Sequence, residues 1–213
     1  MPRHDPTEKT KRDILETAER LFAEKGWNDV NIEDIVKEVG VTRGAFYHYF
    51  KSREDLIYAV IVQPLIDNNP FALASKEKRL NALDKLRYAL KLSLKAQLRA
   101  VLSSNMLKTM YDPVVMKSNI LFSINIMGPH VERLLIEGNE DGSMSVKYPK
   151  HAAQAAGLMF NEWLNPTLFQ MSDTEFSERI LFLEEFGEQL GMPVIDDELK
   201  EMLFQLYECY KQI

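Results

Sequence analysis

At 213 residues, with 46% hydrophobic and 27% charged side chains, the chain has the composition of one or two globular domains and is long enough to bury a core. Its single cysteine, Cys209, excludes an internal disulfide framework and a cysteine-based zinc cluster. No apolar run reaches the ~18 residues of a membrane span, and the polar start MPRHDPTEKTKRDIL has no apolar signal-peptide core, so a reducing, cytoplasmic setting is expected. The net charge of −6 (26 basic against 32 acidic residues) argues against general nucleic-acid coating but leaves room for a small basic surface.

Apolar residues recur at helical spacing almost throughout. Ile14, Leu15, Ala18, Leu21 and Phe22 share one face of a first helix over 7–25. Asp5 is its expected cap, Pro6 its first residue, Glu8 the partner in a capping box, and Gly26 its end. Asn31 caps a short second helix that stops at Gly40, Thr42 caps a third, and Ser52 caps a fourth, which Pro64 bends or ends. A long helix is expected from Ser75 through Leu102, then a short one over 105–111. Asp112-Pro113 opens a helix to about Glu137, bent at Gly128-Pro129. GNEDGSMSVKY (138–148) is the clearest loop, with a short extended piece at 143–148. Pro149 opens the next helix, and Asn165-Pro166 interrupts it. Ser172 and Glu175 box a helix to about Leu190, Gly191-Met192-Pro193 breaks it, and a last helix runs from Asp196. The fold class expected is all-α, with no repeats.

Residues 31–50 carry most of the functional information. Gly40 allows a tight turn, Val41 anchors it, and Thr42 starts a helix too short to stand alone. Phe46 and Phe50 face inward. That leaves Thr42, Arg43, Gly44, Ala45, Tyr47 and His48 on or near the outside. No acid occurs from Thr42 to Arg53, whereas Arg43, His48, Lys51 and Arg53 are basic or potentially so. Small residues let a backbone approach another surface, and Arg and Tyr supply donors for phosphates and base edges. Arg53 is expected to pair with a carboxylate, and Trp27 to be a core residue.

The run NIEDIVKEVGVTRGAFYHYFKSREDL closely resembles the DNA-binding signature of the TetR family of transcriptional regulators, and the likeness covers residues 10–60. Three positions depart from the usual pattern: Val36 for Ala, Asn31 for the Thr cap, and Tyr49 for His. The resemblance implies an N-terminal three-helix helix-turn-helix DNA-binding domain (1–52) and a larger helical effector-binding and dimerisation domain (53–213). It implies that Arg43, Ala45 and Tyr47 face the major groove, with Gly44 permitting close approach. Tyr47 and His48 would also reach phosphates. Asn31 and Thr42 would hold phosphate at helix N-termini, and Lys51 would bind phosphate beside the fourth helix. Residues 42–48 would be the recognition helix on a palindromic operator in double-stranded DNA. The fourth helix would be the lever between ligand and operator.

Nine of the ten methionines follow residue 105. With nearby aromatic residues they suggest an adaptable, apolar effector cavity, for which Met110, Phe122, Asn125, Met159 and Trp163 are candidates beside ordinary core filling. Asn161 and Glu162 are further polar candidates to orient a ligand. Apolar stripes on the last two helices suggest a homodimer through 173–213, a four-helix bundle with two-fold symmetry. No HExxH pattern or carboxylate–His pairing is present, so no metal, cofactor or enzymatic activity is expected. The expected function is a ligand-responsive regulator, a repressor in the first instance. A regulator without an effector, or an activator, is the alternative.

Overall fold

The computed structural model describes residues 6–103 and 113–211, and those residues are helical apart from turns and short connections, with no strand among them. The helices are α1 (Pro6–Lys25), α2 (Ile32–Val39), α3 (Arg43–Tyr49), α4 (Arg53–Asp67), α5 (Pro70–Ala74), α6 (Ala82–Ser103), α7 (Pro113–Phe122), α8 (Gly128–Asp141), α9 (Pro149–Leu158), α10 (Asp173–Gln189) and α11 (Asp197–Lys211). Two π-wound stretches, Ser123–Met127 and Met159–Trp163, continue α7 and α9. The expected caps Asp5 and Asp112, the short helix over 105–111 and the candidate Met110 lie outside the described residues.

Capping chemistry places most boundaries. The Asp55 N–H donates to Ser52 Oγ at 3.1 Å, Glu175 N–H to Ser172 Oγ at 3.2 Å, and Leu199 N–H to Asp196 Oδ1 at 2.8 Å, starting α4, α10 and α11. Ser75 does not open the long helix. It closes the short α5, which starts at Asn69-Pro70 with Asn69 Oδ1 accepting from Phe71 N–H at 2.9 Å. The long helix begins at Ala82, capped by Asn81, whose Oδ1 accepts the Asp84 N–H at 2.8 Å. Of the two outcomes expected at Pro64, an end is not seen: α4 runs one turn past it to Asp67, and Gln63 Nε2 donates across that turn to Asp67 Oδ1 at 2.9 Å. The bend at Gly128-Pro129 is taken up by a π turn, in which Gly128 N–H reaches back to Ser123 O, and α8 continues to Asp141.

By packing, the described residues form two units. The first runs to Asp67 and includes the start of α7 through Ser118, and the second holds α5, α6, the rest of α7 and everything after it. α4, which the sequence reading put at the head of the larger domain, sinks Leu56, Ile57 and Val60 into the core of the first unit. There they meet Ile14, Ala18, Leu21 and Phe22 of α1, Ile35 and Val36 of α2, and Phe46 and Phe50. Burying each such side chain contributes about 1.5–3 kcal/mol. That burial holds the seven-residue α3 in place.

In the second unit the loop after α8 is tied down at three points. Asp141 Oδ2 accepts the Ala82 N–H at 2.8 Å, so the end of α8 caps the start of α6. Asn139 brackets Val146, accepting its N–H at 2.7 Å and donating to its carbonyl at 2.9 Å. Ser145 N–H donates to Gly191 O at 2.8 Å. These bonds, rather than strand pairing, order the piece expected to be extended. Across the unit, Lys91 Nζ of α6 reaches Asp196 at 3.0 Å and Glu198 at 2.5 Å.

This clamp makes a pH prediction. Burial pushes the Asp196 carboxyl up, but the Leu199 N–H and the Lys91 ammonium outweigh it and hold the group below the usual aspartate range. A depressed folded pKa adds stability above the unfolded value of about 3.9, and that stability is lost as pH falls through the folded value. Asp196→Asn is expected to lower stability at pH 7 by about 0.5–1 kcal/mol, the scale of a solvent-reached pair. In urea unfolding at successive pH values, the gap to the parent should shrink as pH falls below the unfolded aspartate value of about 3.9.

Candidate nucleic-acid interface

α2, the turn and α3 are fixed by reciprocal local bonds. Asn31 Oδ1 accepts from Asp34 N–H at 3.0 Å, while the Asp34 carboxylate accepts from Asn31 N–H at 3.1 Å, a full capping box. Gly40 ends α2 with φ of 77°, a left-handed conformation costly for other residues, and its N–H and that of Val41 both donate to Val36 O. Thr42 Oγ1 then accepts from Ala45 N–H at 3.1 Å and starts α3. Phe46 is fully buried, and its ring meets Phe50 at 5.6 Å between centroids. Trp27 stacks on Phe22 at 4.4 Å, in the core role expected of it.

With Phe46 inward, the opposite side of α3 is set. Asn31, Thr42, Arg43, Gly44, Tyr47, His48 and Lys51 are all exposed, and Ala45 is half-buried. Tyr47 leaves 45% of its surface to solvent, a large value for an aromatic residue in a short packed helix. Gly44 is not demanded by the protein's own packing: a Cβ there would meet only Thr42 Oγ1, at an ordinary 3.7 Å. Space over Gly44 is therefore open to an outside surface.

Arg43 is organised before any partner arrives. Its Nη2 donates to Tyr47 OH at 3.5 Å, its guanidinium lies 6.0 Å from the Tyr47 ring centre, and Nη1 pairs with Glu33 of α2. The Tyr47 hydrogen bond and then the Glu33 carboxylate push its pKa further up. Glu33 is the residue that a scan of positions 42–53 misses, since it stands ten residues before Arg43 and meets it only once α2 and α3 pack. Arg53 corrects the sequence reading. Its Nε donates to Val30 O at 3.0 Å and its guanidinium lies 5.9 Å over the Phe22 ring, so a backbone carbonyl takes the place of the expected carboxylate. Arg53 thus joins α4 to the loop before α2.

The effector candidates fall in the second unit. Phe122 is buried, Asn125 exposed, and Met159 and Trp163 partly buried. Asn161 Nδ2 donates to Ser123 Oγ at 2.9 Å. Trp163 meets the Arg179 guanidinium at 4.8 Å and Phe182 at 5.6 Å. Met144 and Met192 are ordinary core residues. In α10 and α11, Phe176, Ile180, Leu183, Leu199, Leu203 and Leu206 are buried within the chain itself. A separate stripe, Leu181 at 54% and Phe182 at 49% exposed, remains uncovered.

These features define a helix-turn-helix domain of the DNA-binding class. Residues 14–60 match the model of "Bacterial regulatory proteins, tetR family". The helix-turn-helix transcriptional regulator YuxN of Bacillus subtilis is 46% identical over 48 residues, which cover 22% of this chain and 16% of YuxN. The transposon Tn10 TetC protein of Escherichia coli is 42% identical over 57 residues (27% of this chain, 29% of TetC). The regulator AcrR of Shigella flexneri is 43% identical over 49 residues, covering 23% of each chain. Each match thus spans less than a third of the relative's length. Whole-chain likeness comes from structures. RolR crystallised with resorcinol superposes with a TM-score of 0.61 at 20% identity, covering 92% of this chain and 94% of that one. The R. erythropolis transcriptional repressor QsdR superposes with a TM-score of 0.59 at 16% identity, covering 88% of this chain and 97% of that one. The second unit therefore shares their helical fold, and over residues 14–60 the chain is similar to the regulators of the tetR family. Among the described residues no helix is long and apolar enough to cross a membrane.

Proposed function

We propose that this protein is a ligand-responsive transcriptional repressor that binds a palindromic operator as a homodimer. The observation that carries the reading is the outward face of α3. An exposed Tyr47, a preset Arg43 and an uncovered Gly44 stand on a helix whose other side is locked in the core. Arg43, Ala45 and Tyr47 read the major groove. Asn31, Thr42, His48 and Lys51 hold phosphates. On binding, Arg43 exchanges Glu33 for a base edge or phosphate, so Glu33 sets a threshold that unspecific DNA has to overcome.

Dimerisation runs through 173–213. The uncovered Leu181 and Phe182 supply apolar surface for it, and two recognition helices must meet half-sites about 34 Å apart. The effector occupies the second unit and shifts the population between DNA-competent and DNA-incompetent dimers.

The test is fluorescence anisotropy with DNA from immediately upstream of the protein's own gene, against an unrelated duplex, over a salt series. Selective binding is expected, with affinity falling steeply as salt rises because phosphate contacts release counterions. Equal, weak binding to both duplexes, together with no palindrome enriched from random DNA, would end the proposal.

A further inference from the structure

Among the described residues, one carboxyl group in the second unit has a buried oxygen without a hydrogen-bond partner. Glu162 Oε1 is buried and makes no hydrogen bond. Burial alone pushes its pKa up; a cation held close would have pulled the other way. The cation of the neighbouring turn, Arg179, is committed elsewhere: to Glu175 at 2.7 Å, to Trp163 O at 2.5 Å, and over the Trp163 ring. A half-buried carboxylate with one oxygen shut off from solvent and unbonded is unfavourable unless something arrives to neutralise it.

The backbone around Glu162 is unusual in the same place. Glu162 lies in the π-wound stretch Met159–Trp163, and Asn161 of that stretch is bonded to Ser123 of the other one, Ser123–Met127. Two π turns thus face each other across one hydrogen bond. Such turns give up regular helix geometry and are frequent at functional sites. Every residue from Gln154 to Trp163 is partly exposed, ten in a row. A helix packed on a core alternates between buried and exposed positions every three or four residues. Uniform partial exposure is what a helix lining an accessible space shows.

We propose that this space binds an organic cation, an ammonium or amidinium group on an apolar aromatic body, with Glu162 as its counter-charge. The inference rests on the reading of the second unit as the effector-binding part and names the chemical class of the effector. The carboxylate neutralises the cation. Trp163 closes one π stretch and has one ring face left beside Arg179, the largely buried Phe122 immediately precedes the other, and Met159 offers an adaptable apolar contact. A metal ion is not the occupant that fits, because no group of three His, Cys, Asp or Glu side chains gathers among the described residues.

The experiment uses the full chain without DNA, so that its result is independent of operator binding. Calorimetric titration is run with 2-naphthylmethylammonium and phenethylammonium, each beside its neutral alcohol and its carboxylate counterpart. The cations are expected to bind at least ten-fold tighter than the matched alcohols. Glu162→Gln is expected to remove that preference while leaving the alcohols unchanged, and to melt no lower than the parent, since it removes an unpaired charge. Equal binding of cation and alcohol, or an undiminished preference in the Gln variant, would overturn the proposal. So would a Gln variant that melts well below the parent, because it would show that the carboxylate is already satisfied. Failure of operator binding in the separate DNA experiment would leave this result standing and would remove only its role in regulation.

Discussion

Gly191→Ala is expected to cost more than about 4 kcal/mol of stability, enough to prevent folding in many proteins of this size. Two effects add. Gly191 has φ of 75°, where an Ala is strained by about 1 kcal/mol. The larger effect is steric: a Cβ there would stand 2.1 Å from Ser145 O and 2.6 Å from Ser145 C. Those are backbone atoms and cannot swing aside. Ser145 is held by its own N–H bond to Gly191 O, and the next residue is bracketed by Asn139 on both sides. To admit the methyl, the 142–148 loop would have to leave α8, taking with it the Asp141 and Ser143 caps at the start of α6. Gly142→Ala is the control. It has nearly the same φ, 77°, but nothing within 4 Å of the added carbon, so only the conformational cost of about 1 kcal/mol should appear. Urea unfolding of the two variants separates strain from clash. Equal losses would show that the loop yields and that its ties are weak.

The same loop shows where sequence was informative. Helix ends were legible wherever a capping side chain, a proline or a glycine stood beside a change of pattern, as at Asn31, Gly40, Thr42, Ser52, Ser172 and Asp196. These devices act over three or four residues, so a linear reading finds them. The misplacement at Ser75 has the same origin, since Asn69-Pro70 and Asn81 are equally good caps and the apolar spacing runs across the turn between them. The π turns leave no such mark. Whether an N–H reaches back four or five residues is decided by packing across the helix pair, here by Ser123 and Asn161. Contacts between segments were likewise hidden: Glu33 on Arg43, Val30 O on Arg53, and the loop on Gly191. On α10 the apolar spacing was real, but Phe176 turns to Phe204 and Tyr207 of α11 in the same chain, Ile180 is buried, and Leu181 and Phe182 are the residues left outside. Apolar residues on both sides of one helix look alike in sequence; which side faces a neighbour depends on the fold.

Phe46 and Tyr47 are adjacent aromatic residues, and substituting each by Ala is expected to have opposite consequences. Phe46 is fully buried, packed on Phe50 within the core that α1, α2 and α4 share. Phe46→Ala removes a large buried ring and leaves a cavity, at a cost of about 3–5 kcal/mol. The first unit has a small core, so α3 is expected to lose its fixed position and DNA binding to fall for every sequence alike. Tyr47 is 45% exposed and meets the core residue Phe46 in an edge-to-face ring contact, 5.4 Å between centroids. Tyr47→Ala should change stability by no more than about 0.5 kcal/mol, as at other exposed positions. Its effect should fall on DNA instead. It removes a donor for base edge or phosphate and also the ring over which Arg43 is held, so Arg43 loses its orientation as well as its neighbour. A loss of about 10- to 100-fold in operator affinity is expected, the range of one or two good contacts, with binding to unrelated DNA far less affected. Circular dichroism melting and anisotropy on the same preparations distinguish the two variants. If Tyr47→Ala binds the operator as the parent does, while Phe46→Ala loses it only by unfolding, α3 is a structural helix and the reading surface lies elsewhere.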